Sequence, residues 1–258
     1  MVADRNGYWG RQMTIFGTHI HVGIDHRDKA LPITYGLARF SPYFIALTGS
    51  SPFWEGVDSG YASQRTMIFQ QLPTNGLPYP MDGWDEFEHY ATELEEAGMI
   101  TAPNEIRWDV RPSTFGTIEN RVYDAATNAT EVGIFAAFTH VLVEHFSRLY
   151  DAGEPLPVLP DWFVAENKWR SARYGMDATL IVSRDGTTES ARDGIARLRV
   201  ASRTYDLGEY LLRLLSAGKL DRRFGRVSGQ MAYFAPCHQR EQDIGQPWRE
   251  LLAMVPGM

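Results

Sequence analysis

The sequence predicts an α+β fold in which a mostly antiparallel sheet packs against helices. Residues 16–23 and 117–124 alternate polar and apolar side chains with a period of two, which is typical of strands. Residues 105–112 alternate in the same way, and the short loop STFG that joins them to residues 117–124 favours an antiparallel hairpin. Residues 128–150 are rich in Ala, Phe and Val and predict a long helix under the sheet.

The segment between the first strand and the hairpin predicts two helices, a long loop and another strand. Asp28 is expected to cap a helix that runs to Phe40, and a second helix is expected to start at Ser41. The loop at residues 50–63 is rich in Gly, Ser, Pro and aromatic residues, so we expect it to line a site. Residues 65–71 then predict a strand.

The remaining elements are predicted to be helical. Residues 82–97 form an amphipathic pattern that stops at Gly98. The proline-rich linker at residues 154–160 marks a candidate boundary near residue 155, beyond which a helical subdomain begins. The helices predicted beyond it span residues 163–174, 188–202 and 207–217.

The composition is that of an ordinary globular protein, with 44% hydrophobic and 22% charged residues. A chain of 258 residues buries roughly three quarters of its unfolded surface, as one large domain or two small ones. The net charge of -7 argues against a nucleic-acid partner, and the short basic run at residues 219–226 is interpreted as a solvated helix end.

Cysteine content and the distribution of apolar residues predict the compartment. The single cysteine, Cys237, excludes an internal disulfide and indicates a reducing environment. No apolar run is long enough to span a bilayer. The first residues include Asp4 and Arg5 and no apolar stretch, unlike a signal peptide. We therefore predict a cytoplasmic protein without a membrane partner.

Polar side chains on the two outer strand segments predict a shared site. His19 and His21 lie on one face of the first strand, and Glu119, Arg121 and Tyr123 on one face of the last. Two imidazoles, a carboxylate and a guanidinium are what a magnesium–nucleotide site needs, so the pattern indicates an enzyme. The alternatives for the histidine pair are a different metal site or two hydrogen-bonded histidines.

The charged face of the hairpin supports a binding surface. It carries Arg107, Arg111 and Arg121 and no lysine, and arginine suits bidentate recognition of carboxylate and phosphate. A face turned to water is the alternative. Weaker candidates lie elsewhere, three of them on one helical face as in a surface ion-pair ladder: Arg65, Asn167, Arg170 and Arg173.

Several common catalytic motifs are absent from the sequence. It contains neither GxxxxGK[ST] nor a GxGxxG that opens a helix after a strand, which argues against P-loop and Rossmann nucleotide binding. A GxSxG nucleophile elbow is also absent. Cys237 and His238 are neighbours in sequence, which does not make them a catalytic pair.

Four segments occur in a distinctive order: GYWGRQMTIFGTHIHVG, ALTGSSPFWEGVDSGYASQR, WDVRPSTFGTIENRVYDA and ENKWRSARYG. In this combination they resemble the glutamate–cysteine ligase type 2 family, which consists of ATP-dependent carboxylate–amine ligases related to glutamine synthetase. The resemblance covers most of residues 7–175 and, more weakly, the helical tail. It implies a sheet of the glutamine-synthetase/guanidino-kinase type packed against helices.

The resemblance also implies a chemistry. ATP phosphorylates a substrate carboxylate, and an amine then displaces phosphate to form an amide, with amino acids as small-molecule substrates and Mg²⁺ or Mn²⁺ as the metal. Such chemistry depends on positioning and on charge neutralisation. The implied assignments are metal binding by Glu119 and His19, catalysis by Arg121 and Arg111, and cofactor binding by Arg65, His21 and Arg170.

The chain departs from the family pattern at its beginning. Family members start with a strand that carries clustered glutamates, whereas Asp4 is the only acidic residue before Phe16 here. We therefore expect residues 1–258 to form a single, truncated catalytic domain without the N-terminal strands, whose loss exposes sheet edges. A partner chain or another copy in a homo-oligomer would supply the missing part, unless the chain is a gene fragment or a catalytically weak homologue.

Two other functions compete with the ligase. One is a non-catalytic or partner-dependent subunit that keeps the fold. The other is a non-haem iron oxygenase in which His19, His21 and Glu119 form a facial triad. An arginine-rich surface suits phosphate and carboxylate better than dioxygen, so the ligase is the predicted function.

Overall fold

The structure, a computed structural model, describes residues 2–201 of the chain. The helices in this part are α1 (Val2–Arg11), α2 (Ala30–Thr48), α3 (Gln64–Phe69), α4 (Trp84–Glu96), α5 (Ala129–Asp151), α6 (Asp161–Tyr174) and α7 (Ala191–Ala201). The strands are β1 (Gly17–Gly23), β2 (Phe53–Trp54), β3 (Val57–Asp58), β4 (Asn75–Gly76), β5 (Arg107–Trp108), β6 (Val110–Ser113), β7 (Thr117–Asp124), β8 (Thr179–Ile181) and β9 (Thr188–Ser190). Short 3₁₀ turns span Arg27–Lys29, Pro103–Glu105 and Gly175–Asp177.

The main sheet has the strand order β1-β7-β6, and both pairings are antiparallel. This confirms the predicted mixture of helices with an antiparallel sheet and the predicted hairpin between residues 110–113 and 117–124. The strand predicted at residues 105–112 is not continuous, because Arg107–Trp108 forms the separate strand β5, which pairs with β4 and not with β7. The described part of the chain also contains two-stranded pairs of β2 with β3, β4 with β5, and β8 with β9, of which β4 with β5 is parallel. The site candidates on β1, β6 and β7 are therefore brought into one sheet.

A β-bulge interrupts the alternation of side chains along β7. Thr18 pairs with Tyr123 and Ile20 with Asn120, so one residue of β1 faces two residues of β7, Arg121 and Val122. Because the extra residue shifts the alternation by one, the hydroxyl of Tyr123 and the amide of Asn120 both reach Thr139 of α5. The prediction that Tyr123 shares the face of Glu119 and Arg121 was therefore wrong.

The core lies between this sheet and helices α2 and α5. Ile118 and Val122 of β7 contribute to it from the sheet, and Tyr123 stacks on Phe135 of α5 with ring centroids 4.8 Å apart. Each fully buried aliphatic or aromatic side chain stabilises the fold by roughly 1.5–3 kcal/mol. The apolar helix predicted at residues 128–150 thus packs under the sheet, as the sequence predicted.

Helix α2 is continuous, which corrects the prediction of two helices joined at Ser41. Pro42 lies inside it, and a proline in a helix interior costs roughly 3 kcal/mol because it removes a backbone hydrogen bond. Apolar side chains on both sides of the proline, including Leu37 and Phe44, are completely buried, which offsets this cost. A 3₁₀ turn at residues 27–29 precedes the helix. The side chain of His26 caps this turn by accepting a hydrogen bond from the backbone N–H of Asp28, and α2 itself has no side-chain cap, so the prediction that Asp28 caps the helix was wrong.

Residues 65–71 were predicted as a strand, and that prediction was wrong. Helix α3 begins after Ser63, whose side chain accepts a hydrogen bond from the backbone N–H of Thr66. The short segment places Arg65 and Phe69 one helical turn apart, and both are buried. A local N-cap and tertiary burial thus decide for a helix, where the short apolar run Met67–Phe69 before a turn-rich stretch suggested a strand.

The C-terminal predictions are confirmed in part. Helix α6 matches the helix predicted at residues 163–174, whereas residues 188–202 begin with the short strand β9 before α7. The helix predicted at residues 207–217 lies outside the described residues. A single domain with a helical subdomain from about residue 155 stays a prediction. In the part of the chain from residue 2 to residue 201, no helix is long and apolar enough to cross a membrane.

Candidate active site

The sheet register assembles a charged cluster around Glu119. Glu119 of β7 stands directly opposite His21 on β1 and directly opposite Arg111 on β6. Side chains that stand opposite each other on neighbouring strands are close enough to interact. Arg121 lies two residues further along β7 and projects from the same face, as the sequence predicted. Three strands therefore contribute polar groups to one point.

Both oxygens of the Glu119 carboxylate are engaged. Nε of Arg111 donates to Oε2 at 2.7 Å, and Nη1 of Arg121 donates to Oε1 at 2.7 Å. Nδ1 of His19 and Nε2 of His21 lie 3.1 and 3.7 Å from Oε1. The side chain of Glu119 is 4% exposed, whereas those of the two histidines are 37% exposed. The cluster is thus buried on the arginine side and open on the histidine side.

The two arginines are anchored differently. Nη1 of Arg111 donates to the carbonyls of Asn104 and Ile106 at 2.6 and 2.5 Å, which ties this guanidinium to the chain before β5. Arg121 lies over the ring of Phe69, with Cζ 5.8 Å from the centroid, and its buried Nε has no acceptor among residues 2–201. Arg121 therefore retains an unused donor, whereas Arg111 is held by protein groups at several positions.

The cluster shifts the pKa of its own members. Burial by itself raises the pKa of the Glu119 carboxyl, but the hydrogen bond from His19 and the charges of the two arginines lower it by more. The net pKa of Glu119 lies well below its ordinary value. Burial lowers the pKa of Arg121 to about 10, and the nearby charge of Arg111 acts in the same direction. At neutral pH the cluster therefore contains an ionised carboxylate between two guanidinium cations.

We expect this carboxylate to make the fold sensitive to acid. Because the native pKa of Glu119 lies below its value of 4.5 in the unfolded chain, the unfolded state binds a proton first as the pH falls. The stabilisation that the Glu119 carboxylate provides is complete at pH values above 4.5 and decreases as the pH drops towards its native pKa. Urea denaturation between pH 7 and pH 3 should show a loss of at least about 1.4 kcal/mol from this group.

The Glu119→Gln variant isolates this contribution. It cannot ionise, so the difference in unfolding free energy between wild type and variant should shrink as the pH falls. Glu93→Gln serves as the matched control, since the side chain of Glu93 is 63% exposed on α4, and it should keep the wild-type profile. A difference between wild type and Glu119→Gln that stays constant from pH 7 to pH 3 would contradict the assignment.

The other predicted site residues lie in different surroundings. Arg65 is buried, and its Nη1 and Nη2 donate to the carbonyls of Val122 and Arg121 at 3.3 and 2.8 Å. Arg170 donates to Glu166 and to the carbonyl of Thr179, at the side of the sheet pair formed by β8 and β9. Neither guanidinium contacts Glu119. Their predicted contacts with a cofactor stay predictions.

Asn167, a weaker candidate for the site, uses its side chain to hold another element of the fold. Its side chain donates to the carbonyl of Ile181 at 2.7 Å and accepts from the same residue's N–H at 2.8 Å. These two bonds attach β8 to α6 in the way a neighbouring strand would. Arg173, on the same helical face, lies between the rings of Tyr61 and Tyr174. The side chains of this helical face therefore contact other parts of the protein, unlike those of a surface ion-pair ladder.

Sequence reasoning missed a buried ion pair beside the cluster. Lys168 of α6 donates to Asp109, between β5 and β6, and the two side chains are 5% and 3% exposed. The carbonyl of Asp109 also accepts the backbone N–H of Arg121 at 2.8 Å. One signal was available: Lys168 is flanked at helical spacing by Val164 and Ser171, which are buried, so a lysine there faces the interior.

A second missed group is Asp124, at the end of β7. Its Oδ2 accepts the N–H of Ser50 at 2.9 Å and the hydroxyl of Ser51 at 2.8 Å. Its Oδ1 accepts the hydroxyl of Ser63 at 2.7 Å. These serines are at the two ends of the loop predicted to line a site, so the strand that carries Glu119 also fixes where that loop begins and ends.

The arrangement disfavours the iron-oxygenase hypothesis. Within residues 2–201, no group of three or more His, Cys, Asp or Glu side chains is placed to hold a metal ion. The carboxylate of Glu119 is already shared by Arg111 and Arg121, and guanidinium cations at this distance repel a metal cation. A facial triad would need this carboxylate free to bind the iron.

Comparison with known proteins adds a family match. The family model described as glutamate-cysteine ligase family 2 (GCS2) matches residues 1–254. Among solved structures, the Pup ligase PafA of the prokaryotic ubiquitin-like modification pathway, in complex with ADP, matches with 14% sequence identity and a TM-score of 0.39. That match covers 93% of this chain and 44% of the PafA chain.

Curated relatives bear the name glutamate–cysteine ligase 2 as a provisional designation. The relative from Paenarthrobacter aurescens (strain TC1) is 46% identical over 235 residues, which is 88% of this chain and 61% of the relative. The relative from Mycobacterium sp. (strain KMS) is 48% identical over 80% of this chain and 56% of its own length. The relative from Arthrobacter sp. (strain FB24) is 50% identical over 74% of this chain and 50% of its own length. The chain therefore spans about half to three fifths of the curated relatives it matches.

Proposed function

The chain belongs to the glutamate–cysteine ligase family 2, and from that premise we propose that it acts as an ATP-dependent carboxylate–amine ligase of the glutamate–cysteine ligase type. In this reaction the γ-phosphoryl group of ATP is transferred to a carboxylate oxygen of glutamate, which yields an acyl phosphate and ADP. The amine nitrogen then attacks the acyl carbon, phosphate leaves, and the amine loses a proton. The product is an amide.

The observation that carries the proposal is the charge of the cluster on β6 and β7. Arg111 and Arg121 share the single carboxylate of Glu119, so these three groups have an excess of one positive charge in a largely buried place. An anion with several oxygens, such as a phosphate or a carboxylate, complements such a site.

Each member of the cluster has a distinct part in the proposal. Arg121 binds the phosphoryl group or the substrate carboxylate and neutralises the charge that develops there. Arg111, fixed by two backbone carbonyls, provides an immobile cation beside it. Glu119 orients both guanidinium groups. His19 and His21 line the open side, where a ligand enters. The family match supports placing this site on a glutamine-synthetase-type sheet.

A divalent cation fits the described residues only in part. Magnesium prefers several oxygen ligands, and Glu119 is the only carboxylate that the arginines and histidines of this cluster contact in the described part of the chain. Glu119 and His19 would therefore supply at most a fraction of the ligands of a Mg²⁺ or Mn²⁺ ion. We assign no reaction step to the metal.

Phosphate release tests the proposal directly. We expect the purified full chain, with ATP, Mg²⁺ and glutamate, to release phosphate only when an amine such as cysteine is present, and mass spectrometry should detect the amide. Omission of glutamate or of the amine provides the control. If no amine in a broad panel supports phosphate release by the chain, alone or with a co-encoded partner, the ligase proposal is wrong.

A partner-dependent subunit is the second candidate, and one observation favours it. In the described sheet, β1 is paired with β7 on one side only, and β1 carries both histidines of the cluster. We propose that another chain or a second copy covers this edge in the cytoplasm. Specific activity measured over a hundredfold dilution, together with light scattering, tests this. Activity per chain that is constant from oligomer to monomer excludes the second candidate.

A further inference from the structure

We propose that Arg65 is a positioning residue that fixes the backbone of Arg121 at the β7 bulge and does not itself contact ATP or substrate. The inference rests on the proposed function, since it concerns how an arginine of that site is held. Arg65 belongs to α3, outside the main sheet, and is 5% exposed. Its side chain must therefore find partners inside the protein.

The partners of Arg65 are the two residues of the bulge. Nη2 donates to the carbonyl of Arg121 at 2.8 Å and Nη1 to the carbonyl of Val122 at 3.3 Å. A bulge leaves backbone groups without regular partners in the strand ladder, and buried backbone groups need hydrogen bonds. On the other side, the N–H of Arg121 donates to the carbonyl of Asp109 at 2.8 Å. The peptide groups before and after the Arg121 Cα are thus both held.

The geometry requires an arginine. A planar guanidinium presents two donors at a fixed separation, which matches two successive carbonyls, whereas an ammonium group has no such fork. The ring of Phe69, with its centroid 5.4 Å from Cζ, supports the guanidinium from one side. The backbone N–H of Arg65 donates to Ser51, whose hydroxyl in turn bonds Asp124. The position of Arg65 is therefore determined at both ends of its side chain.

Gly17 makes room for this guanidinium at the start of β1. A Cβ atom built on Gly17 would lie 2.5 Å from both Nε and Nη2 of Arg65 and 2.7 Å from Cζ. Such distances are too short for any side chain, so an alanine here requires a shift. The contacted atoms are the far end of the Arg65 side chain, so we expect the guanidinium to move off its carbonyls. The Nε that such a Cβ would meet is buried and has no acceptor in the described residues.

Two variants test the inference from opposite sides. Arg65→Lys removes the forked donor, and Gly17→Ala displaces it while every ionisable group of the cluster remains. We expect both to lower kcat/KM for phosphate release by about 10²-fold, the typical effect of a displacement near 1 Å in a site. Gly23→Ala, at the other end of the same strand, meets no atom within 4 Å and should behave as wild type. Full activity of Gly17→Ala would overturn the inference.

A double-mutant cycle shows whether Arg65 acts through Arg121. If it does, Arg65→Lys should cause little further loss of kcat/KM in an Arg121→Lys background, because the positioned group is already altered. A full additional loss of about 10²-fold in that background would mean that Arg65 acts on the ligand itself, which overturns the inference.

Hydrogen exchange separates this inference from the proposed function. Amides of residues 119–124 should exchange faster in Arg65→Lys and Gly17→Ala than in wild type and Gly23→Ala, whether or not the chain releases phosphate. Absence of phosphate release with this exchange pattern rejects the ligase and retains the positioning role. Unchanged exchange in both variants rejects the positioning role even if the wild type is an active ligase.

Discussion

Replacing Arg121 with lysine is expected to lower kcat/KM for phosphate release by roughly 10³-fold or more, the scale of a well-placed arginine in phosphoryl transfer. Lysine keeps the positive charge beside Glu119 but loses the planar set of donors that a guanidinium presents. Steady-state measurements with ATP and glutamate varied separately show which of the two substrates the guanidinium holds. The affected KM identifies that substrate.

A partly buried arginine provides the control for this substitution. Arg39 of α2 donates to the carbonyl of Val182 at 3.0 Å and lies outside the charged cluster. Arg39→Lys should therefore leave kcat/KM within about threefold of wild type, since a surface or structural change of this kind costs little. Equal losses in the two variants would show that the Arg121 effect reflects folding and not contact with a ligand.

Removal of the Lys168 ammonium group is expected to cause the largest loss of stability. Lys168→Met leaves the carboxylate of Asp109 buried without its partner, and breaking a buried pair in this way costs roughly 3–5 kcal/mol. The urea concentration at the midpoint of unfolding should fall accordingly, and the slope of the unfolding free energy against urea concentration should stay unchanged. The double variant Lys168→Met with Asp109→Leu should recover much of the loss, because it removes the stranded charge.

Lys29 is a matched comparison for Lys168. Its side chain is also 5% exposed, but its partners Asp25 and Asp151 are 72% and 59% exposed. Lys29→Met returns both carboxylates to water, so the expected loss is within about 1 kcal/mol. If the two lysine variants lose the same stability, the burial of the partner carboxylate does not control the cost.

The sequence predicted much of the site because strand geometry is regular. Once β6 and β7 are recognised as a hairpin, Arg111 must stand close to Glu119 on the polar face. The same reasoning placed His19 and His21 on one face of β1, although their neighbour in the sheet could not be derived from periodicity. The register of β1 against β7 depends on residues far apart in sequence, which a local pattern does not show. The family resemblance was what implied that His19 and Glu119 belong to one site.

The failures arise where tertiary contacts outweigh local patterns. The side chain of Tyr123 turns to the core because a bulge adds one residue, and no residue type in β7 marks that bulge. Arg65 lies in a helix because the side chain of Ser63 caps it and Phe69 is buried, although the segment was predicted to be a strand. Lys168 and Asp109 are far apart in sequence, so only the folded chain brings their charges together.

The bulge in β7 also limits how this strand can change during evolution. Side chains on a strand are ordered by odd and even positions, and the extra residue reverses that order between Arg121 and Tyr123. Deletion of one residue there would keep Glu119 in place but swap the faces of everything up to Asp124, whose carboxylate fixes the serines of the neighbouring loop. Relatives should therefore tolerate substitutions in this segment while conserving its length.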